Sequence, residues 1–184
     1  MYDIEEIKDD VKKHMSEYRY NHSILVAQSA CSLAKYYNLD YDKAYLAGIV
    51  HDIAKEFSDD ENNYYIKKYK IDNKYLTDDL KPVLHGIVGS YYLKEKYNMD
   101  DEICNSVKFH TLGNPRMTMF DKIILVSDKI GRDNPDEELI SLAYKNIDSA
   151  ITYIFEKLEK KLKMSGKYLD KDSIEMLKNI KNHN

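Results

Sequence analysis

Along almost all of its 184 residues the chain spaces its apolar side chains three and four apart, and no segment alternates as a half-buried strand does. Helices are predicted over 4–16, 21–37, 41–55, 59–70, 84–97, 100–110, 118–130, 136–163 and 172–181. The fold class that follows is all-α. Gly113, Pro115, Gly131 and Pro135 fall between these segments, where they end helices or shape turns. A chain of this length buries roughly 70% of the surface exposed by its unfolded form, enough for one core. No repeat, linker or shift in composition divides it, so a single domain over 1–184 is expected, with 136–181 supplying its C-terminal helices. The lysine-rich helix after 136 either packs against a second copy, giving a homodimer, or covers the chain's own core. Its end, KNIKNHN, is expected to fray.

Charge excludes some partners. The formal net charge is -4 and the pI about 5.9, so no overall basic field draws in nucleic acid by counterion release, and an anionic ligand must be captured locally. The stretch MYDIEEIKDD is acidic, and no apolar run approaches the ~20 residues a bilayer crossing needs. No membrane association and a cytoplasmic location are expected. Cys31 and Cys104 belong to no CxxC pair and sit among apolar neighbours, which makes them buried free thiols.

The polar residues that break the apolar faces carry the chemistry. In AYLAGIVHDIAKEF, residues 44–57, a run fit for a buried helix ends in His51 and Asp52. Residues three and four apart share a helical face. By that rule His22 lies with Leu25 and Val26, His51 under Ala47 and Gly48, His85 before Val88 and Gly89, and His110 after Ser106 and Val107. All four point inward. Asp128 follows Ile124 and Leu125 and also projects from an apolar face, whereas His14 and His183 lie in polar, exposed surroundings. Any one of these residues has an ordinary reading as a hydrogen-bonded core group, a cap or an ion-pair partner. Four inward histidines and two inward aspartates, on five different helical segments, would need several separate partners, because unpaired buried polar groups are costly. One or two metal ions would satisfy them together. Imidazole with a few carboxylate oxygens suits iron, manganese or zinc better than calcium or magnesium.

The order His22, then His51 with Asp52, then Asp128 resembles the H…HD…D pattern of the HD superfamily of metal-dependent phosphohydrolases. RYNHSILVAQSACSLAKYY, AGIVHDIAK, LHGIVGSYYL, FHTLGNPRM and DKIILVSDKI together resemble one branch, the bacterial symmetrical dinucleoside tetraphosphate hydrolases of the YqeK family, over residues 15–133. The resemblance implies an HD-domain helical bundle with a binuclear site in its core, most simply of iron. His22, His51, Asp52 and Asp128 would hold one ion, His85 and His110 the second, and Asp52 would bridge them. It also implies a phosphate-facing lysine at Lys55. One departure is the short DKIGR, which sets Arg132 nearer to Asp128 than the family pattern does.

Two divalent ions with only two aspartates leave a positive centre. Such a centre attracts phosphate oxygens and lowers the pKa of bound water toward ~7, giving hydroxide for an in-line displacement. The basic residues point the same way. Of 28 Lys plus Arg, only Arg19, Arg116 and Arg132 are arginine, and each lies close in sequence to a ligand candidate. Arginine binds phosphate through a planar fork, whereas lysine offers a point charge. Chance clustering, or pairing with surface carboxylates, is the plainer account of these three. Thr111 and Gly113 in the turn TLGNPRM offer a hydroxyl and backbone N–H groups, or simply form the turn. Helical spacing makes most of the seventeen tyrosines packing residues, and none is nominated for base stacking.

The resemblance implies hydrolysis of diadenosine tetraphosphate to two ADP as the activity, with Asp52 and Lys55 as catalytic residues. Another nucleotide as substrate of an HD phosphohydrolase, or a noncatalytic nucleotide-binding module, stays open at this point.

Overall fold

In the computed structural model, which describes residues 2–183 and leaves the side chain of His183 undescribed, every regular element is helical. The ten α-helices of the described residues are α1 Ile4–Lys13, α2 Glu17–Tyr36, α3 Tyr41–Val50, α4 Asp59–Tyr69, α5 Leu84–Tyr97, α6 Asp101–Phe109, α7 Met119–Ile130, α8 Glu137–Lys145, α9 Ile147–Met164 and α10 Lys171–His183. Two 3-10 turns, Asn73–Leu76 and Lys81–Val83, lie between α4 and α5 and were not foreseen in the apolar spacing.

Short polar side chains set the helix starts. Ser16 caps α2, Asp40 caps α3 and Asp100 caps α6, each accepting a backbone N–H that has no partner within its helix. Ser58 with Glu61, and Thr118 with Asp121, form reciprocal capping boxes at α4 and α7. Ser16 moves the start of α2 to Glu17, four residues before the expected one. The expected helix 136–163 is two helices. Asn146 interrupts it with extended backbone (φ −162, ψ 114), its side chain accepting from the N–H groups of Asp148 and Ser149 and so starting α9 as α8 ends. An asparagine that bonds nearby backbone competes with the helix it sits in.

The core lies where α2, α3, α6, α7 and α9 meet, around Leu33, Ile49, Ile53, Val107, Ile124, Leu125 and Phe155. Burying each such side chain contributes about 1.5–3 kcal/mol. Helices α2 and α3 approach closely because their contact is built from small residues. A Cβ added at Gly48 would stand 2.5 Å from the Cα of Ala27. One added at Gly131, just past α7, would stand 2.6 Å from the backbone of Val26. α9 turns Ile147, Ala150, Ile151 and Phe155 into the chain's own core. α10 continues through the expected fraying tail to His183 and buries Met176 and Ile180.

Both cysteines are free, Cys104 buried and Cys31 half-buried, and burial pushes the Cys104 thiol up to about 11. Among the described residues no helix is long and apolar enough to cross a membrane.

Candidate metal centre

The helix containing the HD pair stops at Val50, short of the expected residue 55, and His51 is its C-terminal cap. His110 caps α6 in the same way. The last carbonyls of a helix lack intrahelical donors, and these two imidazoles supply them: His51 Nδ1 lies 2.8 Å from the Gly48 carbonyl and His110 Nδ1 2.6 Å from that of Val107. His85 Nδ1 is 3.0 Å from the Pro82 carbonyl, in the 3-10 turn before α5, and His22 Nδ1 is 2.9 Å from the Gly131 carbonyl. A carbonyl can only accept, so in each neutral ring Nδ1–H donates and Nε2 keeps a lone pair. The four rings form a row, His22, His51, His110, His85, with successive centroids 5.2, 5.2 and 5.1 Å apart.

All four Nε2 atoms face the carboxylates of Asp52 and Asp128. His85 Nε2 is 3.0 Å and His110 Nε2 3.5 Å from Asp52 Oδ1, while His22 Nε2 is 3.1 Å and His51 Nε2 3.5 Å from Asp128 Oδ1. Lone pairs therefore meet lone pairs, and His85 Nε2 and His110 Nε2 lie only 3.2 Å apart. His51 Nε2 is buried without a hydrogen-bond partner. This arrangement calls for cations between the acceptors, and the donor set fits divalent metal. Two trios, His22 with His51 and Asp52, and Asp52 with His85 and His110, each bring ligand atoms within 4.8 Å of one another. Asp52 belongs to both.

Protonation follows the same geometry. Burial alone would raise Asp52, but the imidazoles of His51, His110 and His85 crowded against it hold it well below the ordinary carboxylate range. Asp128 is likewise held well below that range, burial being outweighed by Lys129, His22 and His51. Burial lowers His51, yet Asp52 and Asp128 outweigh it and raise the ring. His85, where burial prevails, falls to about 4. Lys55 is also lowered, by burial first, and its Nζ lies 3.2 Å from both ring nitrogens of His85.

A cavity of about 440 Å³ opens over the cluster, lined by Arg19, Lys55, Thr111, Lys129 and Arg132 as well as by the ligand candidates His22, Asp52, His85, His110 and Asp128. Arg19 Nη1 is 2.9 Å from Asp52 Oδ2, and the short spacing after Asp128 still brings Arg132 to the cavity wall. Arg116 and Gly113 do not line it. Arg116 is exposed in the turn before α7, and Gly113, at φ +69, is packed against Met176 of α10. Packing of α10 was invisible to a reading of TLGNPRM in isolation. Lys129 is the residue that sequence reasoning missed: its Nζ is 2.5 Å from Asp128 Oδ2, and the signal was a cation directly after a proposed ligand in an apolar helix.

His14 stays outside the cluster, but it is half-buried rather than exposed. Its ring packs beside Phe57 and Tyr92, and its Nδ1 bonds the Asp10 carbonyl at 2.9 Å. The expectation for the His183 side chain falls outside the described residues.

The family model for the HD domain matches residues 19–174. The chain belongs to the HD domain family. The YqeK branch inferred from the motifs agrees with its relatives. A protein of Halalkalibacterium halodurans named "Bis(5'-nucleosyl)-tetraphosphatase, symmetrical" is 38% identical over 121 residues, 65% of this chain and 64% of that protein. One of the same name from Staphylococcus aureus is 35% identical over 77% of this chain and 74% of its own. The crystal structure of a "predicted HD superfamily hydrolase involved in NAD metabolism" from Clostridium acetobutylicum superposes on the whole of this chain, itself covered in full, with a TM-score of 0.90 at 29% identity.

Proposed function

We infer that this HD domain is a metal-dependent phosphohydrolase that splits dinucleoside tetraphosphates, diadenosine tetraphosphate first among them, symmetrically into two nucleoside diphosphates. The observation that carries this reading is Asp52, a member of two adjoining three-residue ligand groups beneath a cavity rich in cations. The activity named for the relatives gives the substrate class.

His22, His51, Asp52 and Asp128 would hold one ion, and His85, His110 and Asp52 the other. Iron is the proposed occupant of both places, with manganese and zinc chemically compatible. Ions so bound supply Lewis-acid polarisation of phosphoryl oxygens and acidify water near neutral pH. The chain's own groups do the rest. The Nδ1 bonds to carbonyls keep all four imidazoles aimed inward. Arg19, Lys55, Lys129 and Arg132 bind the polyphosphate, and Arg19 has a buried Nε without an acceptor among the described residues. Thr111 adds a hydroxyl at the same wall.

The test is incubation of purified, iron-loaded protein with a panel of a tetraphosphate, a deoxynucleotide, a nucleoside monophosphate, a guanosine alarmone and a cyclic dinucleotide. ADP as sole nucleotide product from diadenosine tetraphosphate is expected. An untouched tetraphosphate beside turnover of another substrate would overturn the assignment.

A further inference from the structure

The metal cavity has two unlike ends. At one it runs into a second cavity of about 650 Å³ beneath α9, and Lys55, His85, Thr111, Lys129 and Arg132 line both. That volume lies within the roughly 300–1,000 Å³ usual for small-molecule sites. Its far wall carries an apolar row, Ile154, Leu158 and Leu162, spaced four apart on α9, which Leu169 joins from the loop before α10, while Lys157, Lys161, Lys167, Asp79, Asp136 and Asp170 also line the cavity. Tyr168, on the same loop, lines this cavity while 79% exposed. At the other end the metal cavity gives out at Tyr18, 76% exposed, and the exposed Asn21, and past Leu25, Gly131 and Arg132 it adjoins a smaller cavity of about 290 Å³. A third cavity, of about 700 Å³ on the α4 side, reaches only Lys55 and His85 of the metal cavity's lining, whereas the α9 cavity shares five residues with it. The cations are unevenly spread too. Lys55 and Lys129 stand at the seam with the α9 cavity, Arg132 borders both neighbouring cavities, and Arg19 lines the metal cavity alone.

We propose that recognition is one-sided: the α9 cavity holds one terminal nucleoside, the other half of the substrate lies at the open end, and the protein therefore also hydrolyses nucleoside 5′-tetraphosphates that lack a second nucleoside. This rests on the hydrolase reading above and adds a substrate class to it. With adenosine 5′-tetraphosphate one water is consumed. Its oxygen bonds the β-phosphorus as the bond from that phosphorus to the central bridging oxygen breaks. The bridging oxygen leaves with the electron pair on pyrophosphate, one proton is released, and ADP is the other product.

The experiment compares diadenosine tetraphosphate with adenosine 5′-tetraphosphate on the metal-loaded protein, following ADP and pyrophosphate. A kcat/KM for the mononucleoside within about tenfold of that for the dinucleotide is expected, and a larger fall overturns the proposal. Two variants place the nucleoside. Tyr168→Ala changes an exposed side chain, and Leu158→Trp fills the cavity. Each should raise KM at least about fivefold for both substrates, with kcat held within about twofold, as loss of uniform binding does. An unchanged KM in well-folded Tyr168→Ala would remove the nucleoside from this cavity. Failure to cleave either tetraphosphate would overturn the hydrolase reading, and this inference with it.

Discussion

Asp52 meets three imidazoles and one guanidinium, with His85 Nε2 and Arg19 Nη1 at 3.0 and 2.9 Å but His110 Nε2 and His51 Nε2 as far as 3.5 and 3.7 Å. Replacing it with asparagine preserves its shape and removes its charge from both ligand trios. Asp52→Asn is expected to lose at least ~10³-fold in kcat, more than the roughly 10–100-fold that follows loss of an outer partner of a metal ligand, and to bind less metal by elemental analysis. His14→Ala should stay within about twofold of the parent activity, since His14 bonds Asp10 and packs on Phe57 and Tyr92 away from the centre. Equal losses from the two would mean that the histidines have been wrongly sorted.

At the scale of helices, the centre depends on close approach. Gly48 does two things: its missing Cβ lets α3 lie against Ala27 of α2, and its carbonyl orients His51. Gly48→Ala leaves the carbonyl in place but drives the helices apart, an overpacking that costs about 1–3 kcal/mol. A fall in Tm of roughly 5 °C is expected by calorimetry, at about 2–4 °C per kcal/mol for this size, along with weaker metal retention because His22 and His51 sit on the two displaced helices. An unaltered Tm would show that the contact can relax freely. The helical pattern itself was readable residue by residue. The break at Asn146 was not, because the side chain that caps α9 also fits a helical surface until the packing of α8 and α9 selects between them.

For the whole molecule, metal should stabilise what it completes. A metal-free centre keeps acceptors facing acceptors, so chelation should abolish turnover and lower Tm. Restoring free metal to about a hundred times its Kd should return about 2.7 kcal/mol, read as a rise of several degrees. A Tm indifferent to chelation would argue against ligation by this cluster. A second link ties α1 to α5 far from the centre: Asp10 receives hydrogen bonds from Lys96 at 2.7 Å, Tyr92 at 3.0 Å and Tyr97. Burial works to raise Asp10, yet these bonds hold it below its ordinary 3.8. A carboxyl lowered on folding contributes stability that is present above its unfolded pKa and is lost as pH falls through the folded value. Asp10→Asn should therefore cost about 1–2 kcal/mol at neutral pH, and the gap to the parent should close below about pH 4 in urea melts. A gap constant with pH would show that the charge contributes nothing.

By itself the sequence determined the all-α class, most helices to within a few residues, and the six polar side chains that interrupt apolar faces, because a period of 3.6 is a property of each segment alone. Only the tertiary structure decided that those six side chains meet, that helix-end carbonyls turn four Nε2 atoms toward two carboxylates, and that Asp52 is shared. It also admitted Lys129 to the cavity wall, kept Arg116 out, and opened the chamber beneath α9. Convergence is set by how helices cross and how close small residues let them come, a sum of many weak contacts between segments distant in the chain, and no single stretch encodes it.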